Sequence, residues 1–378
     1  MNTTGPRLLC VEVVADLPIL WATLERLDLP AALDRHYPAP LHWKGPLTPA
    51  EVLSVWLLFL LSQGDHCLNH VQPWVEQHHG TLSALLGKDI RPVHFHDDRL
   101  ADCLARLSAA DPFAALERDL NQRTIRVYQL PTDFVRIDAT TANSYADVLS
   151  DQGLLQFGHS KDDPDRPPFK VAAAVLDPLG MPLVTAVVPG NTTDDPLYVP
   201  AIRAVQRSLG TGGRTYIGDC KMGALSTRAF VAAGDDFYLC PLAESQLSRA
   251  RRRELLRPVW EGAQTLEPVR RPGPEGQPDE LAAEGFWMDV ELIAAVEQKE
   301  VRWTERRWLV RSLAYARAQE AALERRLAKA AEALRDLVVR KRGKKRLFHE
   351  DLMLAAGAIV VPYGSLVFRG GFGKPCAT

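Results

Sequence analysis

Long hydrophobic runs are missing from this 378-residue chain. The longest, Val52–Leu61, is interrupted by Ser54 and falls well short of the ~18 apolar residues a membrane span requires. The first ten residues, MNTTGPRLLC, lack the basic start and apolar stretch of a secretory signal. Cysteine is scattered: Cys10, Cys67, Cys103, Cys220, Cys240 and Cys376 form no CxxC pair. That argues against a disulfide framework and a cysteine-based zinc site, and for free thiols in a reducing cytoplasm. There is also little net charge, −2, to advertise an acidic or basic partner. The 46% hydrophobic and 24% charged content is that of an ordinary soluble chain. At roughly 100–200 residues per domain, two or three domains are expected.

The small net charge hides an asymmetry. Residues 1–130 carry 11 Lys/Arg against 15 Asp/Glu, and residues 131–240 carry 9 against 13. Residues 241–378 carry 25 against 19. A polyanion should therefore be gripped mainly by the last third.

Residues 1–130 read as helical. Asp16 to Leu29 has apolar residues at helical spacing. Thr48-Pro49-Ala50-Glu51 is a capping box with proline at the first helical position, and the helix it opens should stop at Gly64. Asp97 or Asp98 can cap another helix, and Asp111-Pro112 starts one to about Gln122. The pattern then switches. Asp133–Asp138 reads as a strand ending in a carboxylate, and Lys170–Asp177 and Pro182–Val188 read as a hairpin. A helix from about Pro200 follows, then a strand Thr215–Asp219, a helix Leu225–Ala233 and a strand Phe237–Cys240. The Pro-, Gly- and acid-rich stretch 266–285 reads as a loop, Trp303–Leu313 as a strand and Ala314–Val339 as a long charged helix. The order β, hairpin, α, β, α, β implies a mixed sheet with helices on its faces, as in the ribonuclease-H-like fold. The expected architecture is α/β: a helical N-terminal domain (1–130), a ribonuclease-H-like core (131–242), an α+β insertion domain (243–356) and an atypical tail (357–378).

Two carboxylates stand out. Asp138 follows the apolar run Val135-Arg136-Ile137, and Asp219 follows Tyr216-Ile217-Gly218. The hairpin, helix and strand between them can return the fourth strand beside the first. Carboxylates at neighbouring strand ends can share Mg²⁺, which takes hard oxygen ligands. Two such ions can activate the attacking oxygen and stabilise the leaving oxygen of a phosphodiester. A strand-end Asp taken alone is more often a turn cap; the pairing in this element order favours metal.

The strings Asp138-Ala-Thr-Thr141, Phe157-Gly-His-Ser-Lys-Asp162, Phe169-Lys170, Leu176-Asp-Pro-Leu-Gly-Met-Pro182, Pro189-Gly-Asn191, Asp194-Asp-Pro196 and Gly218-Asp-Cys-Lys-Met-Gly223 together resemble bacterial insertion-sequence transposases. The branch is the insertion sequence four superfamily, in which a large insertion separates the second and third catalytic carboxylates. The resemblance spans roughly residues 10–356. It implies that Asp138 and Asp219 are the first two members of a DDE triad that cuts and joins double-stranded DNA at terminal inverted repeats, with Mg²⁺ (or Mn²⁺). The third acid of that family lies in a motif of Tyr, Arg, Glu and Lys at fixed intervals. Here Tyr315 is followed by Arg317 and Glu320, but the expected Arg and Glu positions hold Ala318 and Ala322. The third carboxylate is therefore not found, and the chain is expected to stop short of it. A non-catalytic DNA-binding fragment and a ribonuclease-H-like nuclease are the rival readings.

Other residues admit two readings each. His159 and Lys161 can touch a scissile phosphate, or belong to a solvated loop with Asp162, Asp163 and Asp165. Lys221 is a phosphate contact or a surface lysine. The run Arg340-Lys341-Arg342-Gly343-Lys344-Lys345-Arg346 grips DNA or ends a charged helix. His94, His96, Asp97 and Asp98 read as a loop entering a capped helix rather than a metal cluster, and Cys67 with His70 lacks further ligands. Self-assembly into a homo-oligomer is compatible with this reading, and no membrane partner is expected.

Overall fold

The computed structural model describes residues 11–150, 153–158, 163–274, 277–338 and 348–360. Chain contacts divide it into two units, Met1–Ser248 with Ile293–Trp303, and Arg249–Leu292 with Thr304–Thr378.

The first unit begins with seven helices: α1 (Leu17–Arg26), α2 (Leu29–His36), α3 (Pro49–Gln63), α4 (Leu68–Gln77), α5 (His79–Leu86), α6 (Asp97–Leu107) and α7 (Ala110–Tyr128). The capping box holds as read. Thr48 Oγ1 accepts from the Glu51 amide at 3.2 Å, and the Glu51 carboxylate accepts from the Thr48 amide at 2.8 Å. Such a cap contributes about 1 kcal/mol. Gly64, at φ +63°, ends α3 in the left-handed conformation that suits glycine. Between these ends α3 buries Val52, Leu53, Val55, Leu58 and Phe59, and it runs through the middle of the helical core. Two details differ from expectation. His96, not an aspartate, caps α6, its Nδ1 accepting from the Arg99 amide at 3.2 Å; Asp97 and Asp98 occupy the first turn, where they complement the helix dipole. The run from Asp16 is two helices, separated at Asp28, which has φ +58°. α7 runs past Gln122 and joins the helices to the sheet: buried Asn121 donates to the Leu183 carbonyl at 2.5 Å.

The sheet comprises β1 (Phe134–Asn143), β2 (Pro168–Leu176), β3 (Met181–Pro189), β4 (Thr215–Ile217) and β5 (Phe237–Leu239), with α8 (Tyr198–Leu209) before β4 and α9 (Leu225–Ala233) after it. The strand order is β3-β2-β1-β4-β5. β1, β2 and β3 pair antiparallel, while β4 and β5 extend the sheet in parallel from β1. This is the ribonuclease-H-like arrangement. Its core gathers Val135 and Ile137 of β1, Ala174 and Leu176 of β2, Ile202 and Val205 of α8, and Tyr216 of β4. α8 starts two residues before Pro200; the missing amide hydrogen is harmless in a first turn, where donors have no partner in the helix.

The second unit holds α10 (Arg249–Trp260), β6 (Glu267–Arg271), most of β7 (Glu280–Val296) and β8 (Lys299–Ser312), α11 (Leu313–Val338) and α12 (His349–Val360). The strand order is β6-β7-β8. The stretch expected as a loop thus contains β6 and the start of β7. All five β6 side chains are exposed, so no apolar alternation marks the strand. α12 enters the segment expected as an atypical tail, as far as Val360.

Candidate active site

The chemistry-bearing residues follow from how β1 is paired. β1 and β4 run parallel through Phe134↔Thr215, Val135↔Tyr216 and Arg136↔Ile217. Carried two residues past the last pair, this register would set Asp138 level with Asp219, and the charges of both reach the Tyr198 phenol. Asp138 does not end its strand, as the sequence suggested. β1 continues to Asn143 because β2 pairs with it as far as Asn143↔Pro168, long after β4 has stopped. The carboxylate therefore sits where one neighbour ends and the other carries on. Val135 and Ile137 are buried and Asp138 is exposed, as alternation along a strand requires.

Asp219 leaves β4 on a backbone fixed from several sides. The Gly218 amide donates to the Leu239 carbonyl at 3.2 Å, extending the contact with β5. The following turn is tied by Met222 N to the Asp219 carbonyl at 3.1 Å. Buried Arg228 donates from Nε to the Gly223 carbonyl at 2.9 Å.

Each aspartate has one oxygen engaged. Asp138 Oδ1 accepts from the Ala139 amide at 2.8 Å. Asp219 Oδ1 accepts from the Lys221 amide at 2.8 Å and from the Tyr198 hydroxyl at 2.6 Å. Among the described residues no protein donor takes the second oxygen of either, and both carboxylates are solvent-exposed. The Tyr198 phenol senses both acids. Burial raises its pKa most, followed by the hydrogen bond to Asp219 and the charges of Asp219 and Asp138.

Two lysines meet the Asp194-Asp195 turn just before α8. Lys170 Nζ, on a largely buried side chain, reaches Asp194 Oδ1 at 2.7 Å. Lys221 Nζ lies 3.7 Å from Asp195 Oδ1, with both groups about half exposed. Lys221 is thus a weakly committed cation beside Asp219. Gly190 explains the Pro189-Gly-Asn191 string: a Cβ there would lie 2.1 Å from the Pro168 carbonyl oxygen and 2.6 Å from that of Gln156. Only glycine lets the 153–158 segment lie against β2 in this way. His159, Lys161, Arg340, Lys341, Lys344 and Lys345 lie outside the described residues.

Sequence reasoning missed Tyr198 and the roles of Lys170, Asp194 and Asp195. A buried tyrosine 21 residues before an aspartate leaves no local signal. The Asp194-Asp195 pair was visible, but not which lysine each would meet.

Other ionisable clusters are local. Buried His94 accepts at Nδ1 from the Arg91 amide at 3.1 Å, and burial, then Arg91 and Arg99, lowers its pKa. Asp65 contacts His70 Nδ1 at 2.6 Å and accepts from the Cys67 amide at 2.9 Å. The His70 bond is the largest cause holding the Asp65 carboxyl at about 2. Among the described residues, two groups of three metal-capable side chains converge, Asp65-Cys67-His70 and His96-Asp97-Asp98. Among the described residues neither group includes Asp138 or Asp219, and no group of three contains both.

No protein-family model and no curated protein matches this sequence. Among solved structures, the chain is similar to a Mos1 transposase paired-end complex with left transposon end, at 11% identity over 68% of this chain and 92% of that one, with a TM-score of 0.22. A pre-cleavage Mos1 transpososome gives the same identity, coverage and TM-score. The fold assignment rests on the strand order and pairing, not on these overlaps. No helix among the described residues is long and apolar enough to cross a membrane.

Proposed function

We propose that this chain is a DNA transposase of the insertion-sequence type, with Asp138 and Asp219 as two of its metal-binding acids. The observation that supports the reading is the parallel β1–β4 register, which ends two residues before both acids at Arg136↔Ile217, together with the backbone amide that holds one oxygen of each. A pair of exposed hard-oxygen donors suits Mg²⁺ or Mn²⁺, with water completing the shell. When bound, such ions would polarise the scissile phosphate and lower the cost of the developing charge. The chain's own contribution is positioning. β1 and β4 fix the acids, and Lys221, with His159 and Lys161, contacts DNA phosphates. Water first attacks phosphorus at the element end and displaces the element's 3′-oxygen, which leaves as a 3′-hydroxyl. That hydroxyl then attacks a target phosphodiester, and the new P–O bond forms as the target strand's own 3′-oxygen is displaced.

In this reading double-stranded DNA, as terminal inverted repeats and target, is gripped mainly by residues beyond 241. α10 carries Arg249, Arg251, Arg252, Arg253 and Arg257, and the 340–346 run adds Arg340, Lys341, Lys344 and Lys345. The protein acts in the cytoplasm, where that DNA lies. A second reading, DNA binding without cleavage, draws on the lack of a third acid beside Asp138 and Asp219 among the described residues.

The test is incubation of the purified chain with labelled element-end DNA and Mg²⁺ or Mn²⁺. With no third acid beside the pair among the described residues, the expected result is weak cleavage at most, lost in Asp138→Asn and Asp219→Asn. Robust cleavage and strand transfer, lost in the same variants, would mean that a third ligand lies elsewhere in the chain. Cleavage without strand transfer would make the chain a nuclease. Specific binding without cleavage would support the second reading. Cleavage that survives both substitutions would overturn the site.

A further inference from the structure

We infer that Tyr198 is a positioning residue for Asp219, holding one carboxylate oxygen so that the other is presented to a divalent cation. This rests on the two-carboxylate reading above and adds a residue to it.

The geometry is specific. Tyr198 is the first residue of α8 and 4% exposed, its ring packed in the sheet core with Val135, Ile137 and Ile202. Its hydroxyl donates to Asp219 Oδ1 at 2.6 Å. A buried hydroxyl needs a partner. This one finds it in a side chain that is otherwise exposed. Asp219 Oδ1 then has two donors, the phenol and the Lys221 amide, whereas Asp138 Oδ1 has one. Two donors on one oxygen fix the rotation of the Asp219 carboxylate and leave Oδ2 pointing away from both.

The surroundings are shaped for this contact. A Cβ at Gly218 would meet Met222 Sδ at 2.6 Å and Tyr198 Cε1 at 3.0 Å. Glycine immediately before Asp219 is therefore what admits the ring. The turn leading into α8 is in turn held by the largely buried Lys170 on Asp194 at 2.7 Å, which tethers the helix start that carries the phenol. Partners that orient a metal ligand in this way typically account for about 10–100-fold in metal affinity.

The test is an Mn²⁺ titration of the full chain, followed by the electron paramagnetic resonance signal of free Mn²⁺, for wild type, Tyr198→Phe and Asp219→Asn. Phenylalanine keeps the ring, and metal-free thermal melts report whether the core is intact. Asp219→Asn should abolish binding at this site. Tyr198→Phe should weaken it by about ten-fold or more, with little change in the metal-free melt. Wild-type affinity in Tyr198→Phe, with binding lost in Asp219→Asn, overturns the positioning role and leaves the site standing. Wild-type affinity in Asp219→Asn overturns the site itself. Should Tyr198→Phe fail to fold, 3-fluorotyrosine at position 198 gives a ¹⁹F resonance. It should shift on Mg²⁺ addition, and not in the Asp219→Asn background. A resonance unmoved by Mg²⁺ in the otherwise wild-type chain counts against the inference.

Discussion

The two sheets of this molecule are built on opposite terms. In the five-stranded sheet, β2 alternates buried and half-buried side chains along its whole length, and helices α7 and α8 pack against β3. In the three-stranded sheet, β6 is exposed throughout and β8 is mostly so. What its strands display is charge and aromatic surface. Arg306 stacks 4.0 Å above the Trp287 ring while bonding Asp289 at 3.0 and 3.2 Å, and Trp287 and Trp308 lie 6.5 Å apart. The first sheet derives its order from apolar burial and can hold two carboxylates in a fixed register. The second buries little, chiefly Ala283 and Phe286 of β7, and adds backbone pairing and cross-strand ion pairs such as Arg306–Asp289.

Truncation should separate the two most sharply. Leu176, 2% exposed on β2, should cost about 2–5 kcal/mol when cut to alanine. Leu281, 39% exposed on β7, should cost under about 1 kcal/mol. Denaturant unfolding of both variants measures this, and equal costs would erase the distinction.

A smaller effect appears in how each region treats acid. Burial raises the pKa of Glu117, on α7 under β3, against the opposing hydrogen bonds from Thr185. Arg306 lowers that of Asp289 in the other sheet, chiefly through their hydrogen bonds. The signs then differ. A raised folded-state value means that Glu117 favours the fold fully below the ordinary glutamate range, and that this contribution fades as pH rises through the folded value. Glu117→Gln should therefore gain stability relative to wild type at pH 8 and not at pH 4. The exposed Asp289 contributes above the ordinary aspartate range and loses that contribution as pH falls through its lowered value, so Asp289→Asn should show the reverse trend, faintly. Melting temperatures from pH 8 through pH 4 and on down to about pH 2, below the ordinary aspartate range, report both. Parallel trends would mean that the two environments are alike.

The same contrast explains what could be read from sequence. Burial writes itself into apolar spacing, so the helix opened by the capping box at Thr48 and the hairpin before α8 were legible. The mixed sheet, with β4 returned beside β1, followed from the order of elements. Surface-built structure leaves no such trace. β6 was hidden in a Pro- and Gly-rich stretch, and α10, with Pro258 inside it, went unread among its arginines. At the site, Asp138 and Asp219 could be named because each ends an apolar run. The continuation of β1 past Asp138 could not, because it depends on how far β2 pairs. Tyr198 escaped for the same reason: its partner is set by the fold and not by a neighbour in sequence.

The central claim is that Asp138 and Asp219 form one cation site, and it is tested most directly by crystals grown or soaked in Mn²⁺, with the ion found by its anomalous scattering. The account predicts a peak within direct coordination distance, about 2–2.5 Å, of an oxygen from each aspartate. A peak at Asp65-Cys67-His70 or His96-Asp97-Asp98 alone, with none between Asp138 and Asp219, would contradict it.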